Sequence, residues 1–150
     1  HVRSAGVDFA RGERLLATGH VLDAASIALA AATGRASVSV ARKPRVTVLS
    51  GGDELVAPGS IPAADQIFDS MSIGIAALAG QWGAAATAVG PLPDHANKIA
   101  DALQKAISQS DLTVIVGGAS VGDHDHARPS VRSLGGSLLF EKVAVRPGKP

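Results

Sequence analysis

From residue 44 onward, short apolar runs rich in β-branched residues alternate with longer segments of helical periodicity. The apolar runs predict strands at 45–50, 84–90, 112–116 and 137–145. The longer segments predict helices at 72–82, 95–108 and 128–135. In the helix at 95–108, the apolar residues Ile99, Leu103 and Ile107 recur near the helical period. Strands that alternate with helices predict a three-layer α/β/α domain built around a mostly parallel sheet.

The first 41 residues follow a different pattern. Short apolar pieces are broken by three glycines, which predicts short strands joined by turns. Asp23 is then placed to cap a small helix, which Gly34 ends. The alternating run "ASVSVA" at 36–41 predicts a further strand.

We therefore expect two regions: a short β-rich segment of a neighbouring domain at 1–41, and the α/β domain at 44–150, truncated at its carboxyl end. The chain begins with His1 and ends in "RPGKP", so we expect a piece of a longer protein. A net charge of +1 is too small to indicate electrostatic attraction to nucleic acid or to a membrane surface. The chain has no cysteine, which excludes disulfides and thiolate metal sites.

Unusual loop chemistry follows each predicted strand. In parallel sheets, ligands bind at the carboxyl ends of the strands. The segments at those ends are "GGDE" (51–54), "PLPD" (91–94), "GGASVGDHD" (117–125) and "RPGKP" (146–150). They contain most of the glycine, proline and acidic clusters of this region. We therefore expect the four loops to form one rim around a ligand.

The loop at 117–125 allows several interpretations. Residues 118–122 match G-x-S-x-G, but no helix follows directly and the last histidine, His126, is too close for a hydrolase triad. The alternation of aspartate and histidine at 123–126 directs the two residue types to opposite sides of an extended chain. A zinc site formed by this loop alone is therefore disfavoured, and one carboxylate binding Mg²⁺ beside a phosphate is favoured. A solvated polar loop remains the alternative for the two histidines.

Phosphate binding is the hypothesis that best unites the rim. Glycines at 51–52 and 117–118 would let backbone N–H groups approach an anion, and Ser50 and Ser120 would add hydroxyl groups. Lys142 and Arg146 share one face of the last predicted strand, and Lys149 follows. Tight turns alone are the alternative explanation for the glycines.

Acidic residues from three strand ends could hold Mg²⁺ and activate water; these are Glu54, Asp94 and Asp125. Simple solvent exposure is the alternative for Asp53 and Glu54. A helix cap is the alternative for Asp94.

Four motifs, in this order and spacing, resemble the molybdopterin molybdenumtransferase family. They are "VLSGGDELVAPG", "QIFDSMS", "VGGASVGDHD" and "FEKVAVRPGKP". These proteins are the molybdenum insertases, related to the C-terminal domain of gephyrin. The resemblance implies a cytoplasmic transferase of molybdenum cofactor biosynthesis. It would bind adenylylated molybdopterin (molybdopterin-AMP), insert molybdate and release AMP with Mg²⁺, as a homodimer in the full-length protein. The isolated piece is not necessarily active.

The resemblance also implies roles for residues at the motif positions. The catalytic set would be Glu54, Asp94, Asp125 and Lys142, with Mg²⁺ held by Asp125 and Glu54. The substrate-binding set would be Ser50, Gly52, Asp53, Gly117, Gly118, Ser120, Arg146, Pro147, Gly148 and Lys149. The chain departs from the family pattern at four positions, where Gly51 replaces Thr, Met71 replaces Asn, Arg146 replaces Lys and His124 replaces Tyr.

Two other functions stay open. A related enzyme, molybdopterin adenylyltransferase, shares the fold but typically has G-G-T-G where this chain has residues 117–120, and it lacks the leading segment. A pterin-binding scaffold without catalysis is the second alternative. The retained acids Glu54, Asp94 and Asp125 favour catalysis.

Overall fold

The computed structural model describes residues 2–117 and 126–140. The chain divides into two compact units, His1–Ala41 and Arg42–Pro150, and each is described by itself. Within the described ranges, every helix is too short or too polar to cross a bilayer.

The first unit consists of turns and one helix, α1 (Ala24–Ala32). Asp23 caps this helix as expected, because its Oδ1 accepts hydrogen bonds from the N–H and the hydroxyl of Ser26, both at 2.7 Å. These hydrogen bonds lower the pKa of Asp23. The Nε2 of His20 lies 2.8 Å from the Ser26 hydroxyl, so the cap is joined to the turn that precedes it.

The short strands predicted within residues 1–41 are wrong for the part that the structure describes, residues 2–41. Three successive turns replace them, closed by hydrogen bonds from the N–H groups of Val7, Glu13 and His20 to carbonyls three residues earlier. The run at 36–41 is also not a strand. Alternating polarity yields a strand only where a neighbouring strand satisfies its backbone groups. Between residues 4 and 20, turns supply hydrogen bonds locally instead.

The second unit is built on a parallel sheet of three strands in the order β4-β1-β5. Its strands are β1 (Arg45–Gly51), β4 (Ala85–Leu92) and β5 (Leu112–Val116). The central strand pairs in register with both neighbours, so Val48 lies opposite Ala88 on one side and Val114 on the other. The prediction of an α/β domain with a parallel sheet is therefore confirmed.

Helices α2 (Met71–Gln81), α3 (Ala96–Gln109) and α4 (Ala127–Ser133) accompany the sheet. Strand β1 alternates its side chains, so Leu49 packs against α3 while Ser50 faces the start of α2 on the other side. The helices thus cover opposite faces, which gives the expected three layers.

The main apolar cluster lies between the sheet and α3. Leu49, Leu103 and Ala106 form its buried centre, and Ile115 packs against them. Of the three apolar residues whose spacing predicted this helix, Ile99 and Leu103 are buried, whereas Ile107 is 53% exposed. In an α-helix, a side chain seven residues further on points within about 20° of the same direction, whereas one eight residues further on does not. The buried position therefore falls at Ala106, seven residues after Ile99.

Two features differ from the sequence prediction. A short parallel pair, β2 (Leu55–Val56) and β3 (Ile67–Phe68), was not expected, because two apolar residues carry no detectable periodicity. The strand expected at 137–145 does not include residues 137–140, and its remainder lies outside the described residues.

An ionic cluster joins the amino-terminal ends of β1 and β5. Both guanidinium Nη atoms of Arg42 lie 2.6 Å from the two carboxylate oxygens of Asp111. The N–H of Arg45 donates to the same carboxylate at 2.8 Å, and Asp111 N–H donates back to the Arg45 carbonyl at 2.9 Å. The hydrogen bonds from Arg42, then those from Arg45, hold the pKa of Asp111 well below its usual range. We call these three residues the Asp111 cluster.

We predict that the Asp111 cluster stabilises the fold above about pH 4 and loses this effect in acid. The folded-state pKa lies below the unfolded value of about 3.9, so the contribution is complete above that value and disappears as the pH falls towards the folded-state pKa. Thermal unfolding of wild type and Asp111→Asn, measured from about pH 7 to about pH 3, should show a difference that shrinks in acid. Asp101→Asn, an exposed change on α3, is the control. A difference independent of pH contradicts the assignment.

Candidate functional site

The carboxyl ends of the three parallel strands meet around a small cavity of about 20 Å³. Gly51, Leu92 and Gly117 contribute one wall from each strand, and Asp94 and Ala127 complete the lining. A space of this size holds about one water molecule. For the strand ends that the structure describes, the predicted rim is therefore present at the expected edge of the sheet.

Glycine is required where these strand ends approach each other. Gly117 has a φ of +88°, and a Cβ there would lie 2.6 Å from the carbonyl oxygen of Gly51. Gly52 has a φ of +147°, and a Cβ there would lie 2.5–2.7 Å from the carboxyl group of Glu54. The N–H of Gly52 donates to the carbonyl of Leu92 at 3.1 Å. Close packing of backbone is thus one reason for Gly117. At Gly52 the positive φ is the reason, because the exposed Glu54 side chain could move aside. Approach to a phosphate stays a prediction for both.

The acidic loops after β1 and β4 are joined directly. Asp53 Oδ1 accepts a hydrogen bond from the N–H of Asp94 at 2.9 Å. Asp94 is half-buried and lines the cavity, whereas Asp53 and Glu54 are exposed. The alternative that Asp94 caps α3 is wrong, because the helix begins at Ala96 with His95 as the capping residue. The carboxylate of Asp94 therefore does not cap the start of α3.

Ser50, a predicted substrate-binding residue, has a structural contact with Asp69. Its side chain is fully buried, and its hydroxyl donates to Asp69 Oδ2 at 2.5 Å. The hydroxyl of Ser72 donates to the same oxygen at 2.6 Å, and the N–H of Ser72 donates to Oδ1 at 3.2 Å. The hydroxyl of Ser50 thus contacts Asp69 behind the strand. Ser50 also belongs to the lining of the cavity, so its role in substrate binding stays a prediction.

Asp69 itself was missed by the sequence reasoning. Burial raises the pKa of Asp69, but the hydrogen bonds from Ser50 and Ser72 outweigh burial and leave the pKa below its usual value. The spacing of "DSMS" within "QIFDSMS", an aspartate three residues before a serine at the start of a helix, could have indicated the capping part of its role.

Most of the remaining candidate residues lie outside the described residues; they are Gly118, Ser120, Asp125, Lys142, Arg146, Pro147, Gly148 and Lys149. Within the described ranges, no three His, Cys, Asp or Glu side chains are grouped closely enough to hold a metal ion. The Mg²⁺ pair of Glu54 and Asp125 therefore stays a prediction.

Residues 47–150 match the family model described as "Probable molybdopterin binding domain". The chain is 38% identical over 149 residues to the molybdopterin molybdenumtransferase of Nostoc sp., covering 99% of this chain and 34% of that protein. It is 35% identical over 150 residues to the protein of the same name from Haemophilus influenzae, covering 37% of that protein. The chain thus spans about a third of the length of these curated relatives.

The fold of this chain is similar to that of a solved structure. The molybdopterin biosynthesis protein MoeA from Pyrococcus horikoshii superimposes with a TM-score of 0.82 at 31% identity. The superposition covers 97% of this chain and 36% of that chain.

We predict that Gly117→Ala destabilises the fold more than Gly135→Ala. Both glycines have a positive φ, which costs a residue with a side chain about 1–2 kcal/mol. A Cβ at Gly135 meets open space, whereas one at Gly117 meets the carbonyl oxygen of Gly51. Urea unfolding of both variants measures the difference, which reports the crowding at the strand ends. Equal losses of stability would show that the strand ends can separate without cost.

Proposed function

Because this chain belongs to the molybdopterin-binding domain family, we propose that it forms the catalytic domain of an enzyme of molybdenum cofactor biosynthesis. The enzyme would be a molybdopterin molybdenumtransferase. The observation that carries the proposal is the meeting of two acidic loops at the carboxyl edge of the sheet, where Asp94 is held beside Asp53. Parallel sheets bind their ligands at this edge.

The proposed reaction uses molybdopterin-AMP and molybdate as substrates. Molybdate is inserted into the pterin, the adenylate is cleaved and AMP is released. Phosphate and molybdate are both oxyanions, so the reaction needs cations and backbone N–H groups that face the rim. Lys142, Arg146 and Lys149 would supply the cations, and the turn at 117–118 would supply the N–H groups.

The acidic residues would do the remaining chemistry. Asp94 lines the cavity, and Asp53 holds its backbone N–H, so the place of Asp94 on the rim is set before a substrate arrives. Such a carboxylate can hold or accept a proton at a defined place. Glu54 and Asp125 offer carboxylate oxygens, the ligand type that Mg²⁺ prefers, and would hold that ion. When bound, Mg²⁺ would neutralise negative charge on the phosphate groups.

The leading segment favours this function over the adenylyltransferase alternative. The relatives named molybdopterin molybdenumtransferase align with 99% and 100% of the chain, residues 1–41 included. The adenylyltransferase lacks that segment. The acids at Glu54 and Asp94 argue against a scaffold without catalysis. A homodimeric, cytoplasmic enzyme is part of the same proposal, on the strength of the family resemblance.

We predict that Asp125→Ala abolishes AMP release while the fold remains stable. A loop carboxylate that serves a metal and a phosphate contributes to the reaction and little to the core, so the loss should reach about 100-fold or more. AMP released from molybdopterin-AMP in the presence of molybdate is measured with the purified full-length protein. Asp123→Ala, two residues earlier in the same loop, is the control. Normal AMP release by Asp125→Ala would contradict the proposed site.

We predict that Lys142→Ala weakens binding of molybdate or AMP by about 1.5–3 kcal/mol, the range for a hydrogen bond to a charged group. Calorimetric titration measures the affinity, with Lys105→Ala on the exposed side of α3 as the control. If Lys142 only pairs with an acid on the surface, the change in stability should be about 0–1 kcal/mol. Unchanged affinity with a lower melting temperature would place the lysine outside the pocket.

A further inference from the structure

The buried carboxylate of Asp69 connects two elements that the proposed mechanism does not explain. Only 5% of Asp69 is exposed, and its three hydrogen-bond donors come from Ser50 at the end of β1 and Ser72 at the start of α2. A buried charge is costly unless it is fully hydrogen-bonded, so these contacts are required for the carboxylate to stay ionised.

The contact of Asp69 with Ser50 also closes residues 50–69 into a ring, and the acidic loop is part of this ring. Ser50 is followed by Gly51, the last residue of β1, and residues 52–54 then lead into β2. Strand β2 pairs with β3, and Asp69 is the residue after β3. The hydrogen bond between Ser50 and Asp69 then returns the chain to its starting point.

Backbone hydrogen bonds keep this ring narrow. The N–H of Ile67 donates to the carbonyl of Glu54 at 2.8 Å, and the N–H of Asp69 donates to the carbonyl of Val56 at 2.9 Å. Inside the loop, the N–H of Leu55 donates to the carbonyl of Gly52 at 3.0 Å. The loop is therefore held at its far end by β3 and at its near end by the hydroxyl of Ser50.

Ser50 has no room to move within the ring. Its side chain has no exposed surface, and Gly90 packs so closely against it that a Cβ at Gly90 would overlap the Ser50 hydroxyl. Because Ser50 is packed too tightly to adopt a second arrangement, its hydrogen bond with Asp69 fixes the position of one residue relative to the other.

We propose that Asp69 is a positioning residue, which fixes the loop carrying Asp53 and Glu54 at the edge of the sheet by holding Ser50. The role in catalysis rests on the proposed function, whereas the role in holding the loop does not. The effect on substrate is indirect, since Asp69 lies behind β1 and acts through Ser50.

Two serine variants separate this role from general stability. Ser50→Ala and Ser72→Ala each remove one hydroxyl from the same oxygen of Asp69, and both side chains are almost fully buried. Only Ser50 precedes the acidic loop. Amide hydrogen exchange measures local opening, and urea unfolding gives the overall stability of each variant for comparison.

In Ser50→Ala, we expect the amides of Leu55 and Ile67 to exchange about 10-fold faster or more than in wild type. In Ser72→Ala, these amides should keep their protection, and the amide of Gly74, which is bonded to Ser70 in the first turn of α2, should exchange faster. Equal exchange of the loop amides in the two variants overturns the proposal. Unchanged loop exchange in Ser50→Ala also overturns it.

Asp69→Asn provides a second variant of the same size, in case Ser50→Ala does not fold. An amide keeps one acceptor oxygen but loses the second, so the loop amides and the start of α2 should both exchange faster. Protected loop amides in this variant contradict the proposal.

Activity gives an independent measurement. AMP release should fall about 10-fold or more in Ser50→Ala and stay near wild type in Ser72→Ala. If the proposed function is wrong, the full-length wild type itself releases no AMP, while the exchange result still decides the role of Asp69. The two failures are thus distinguishable.

Discussion

The close approach of three parallel strand ends is the constraint on which the rest of the second unit depends. The backbone after β5 passes so near the carbonyl of Gly51 that only glycine fits at Gly117. The loop after β1 meets the loop after β4 through Asp53 and Asp94. Because the strands converge there, loops distant in sequence deliver their polar groups to one edge, and the cavity between them stays small. A wider separation would leave the same acidic residues without a shared location.

Much of the fold could be predicted from sequence, because the pattern is strong where the strands are buried. The runs "RVTVLS" and "LTVIV" are short, apolar and β-branched, and they became β1 and β5 with nearly the expected bounds. The failures have local physical causes. Residues 36–41 alternate but form no strand, since propensity cannot supply a partner. Ile107, eight residues after Ile99, is exposed, because a spacing of eight departs from the helical period more than a spacing of seven does.

The candidate site could be predicted only in part. The edge of the sheet follows from topology and from where glycine and acidic residues occur in the sequence, so Glu54 and Asp94 could be predicted to lie in its loops. The hydrogen bond between Ser50 and Asp69 could not be predicted. Asp69 lies 19 positions away in the sequence, and an unexpected pair of short strands brings it to Ser50. Sequence patterns report which chemical groups are available at a strand end, whereas the choice between ligand and interior depends on tertiary packing.

Different interactions stabilise the amino-terminal and the carboxyl-terminal edges of the sheet, and these interactions differ in their sensitivity to ionic strength. The Asp111 cluster at the amino-terminal edge is largely open to solvent, with the Arg42 side chain 65% exposed, so dissolved salt screens it. At the other edge, Asp69 and its serines are buried, and ions in solution barely reach their hydrogen bonds. Salt therefore weakens the edge remote from the proposed chemistry first. The hydrogen bonds of Asp69 behind the acidic loop are therefore shielded from the electrolyte that surrounds the protein.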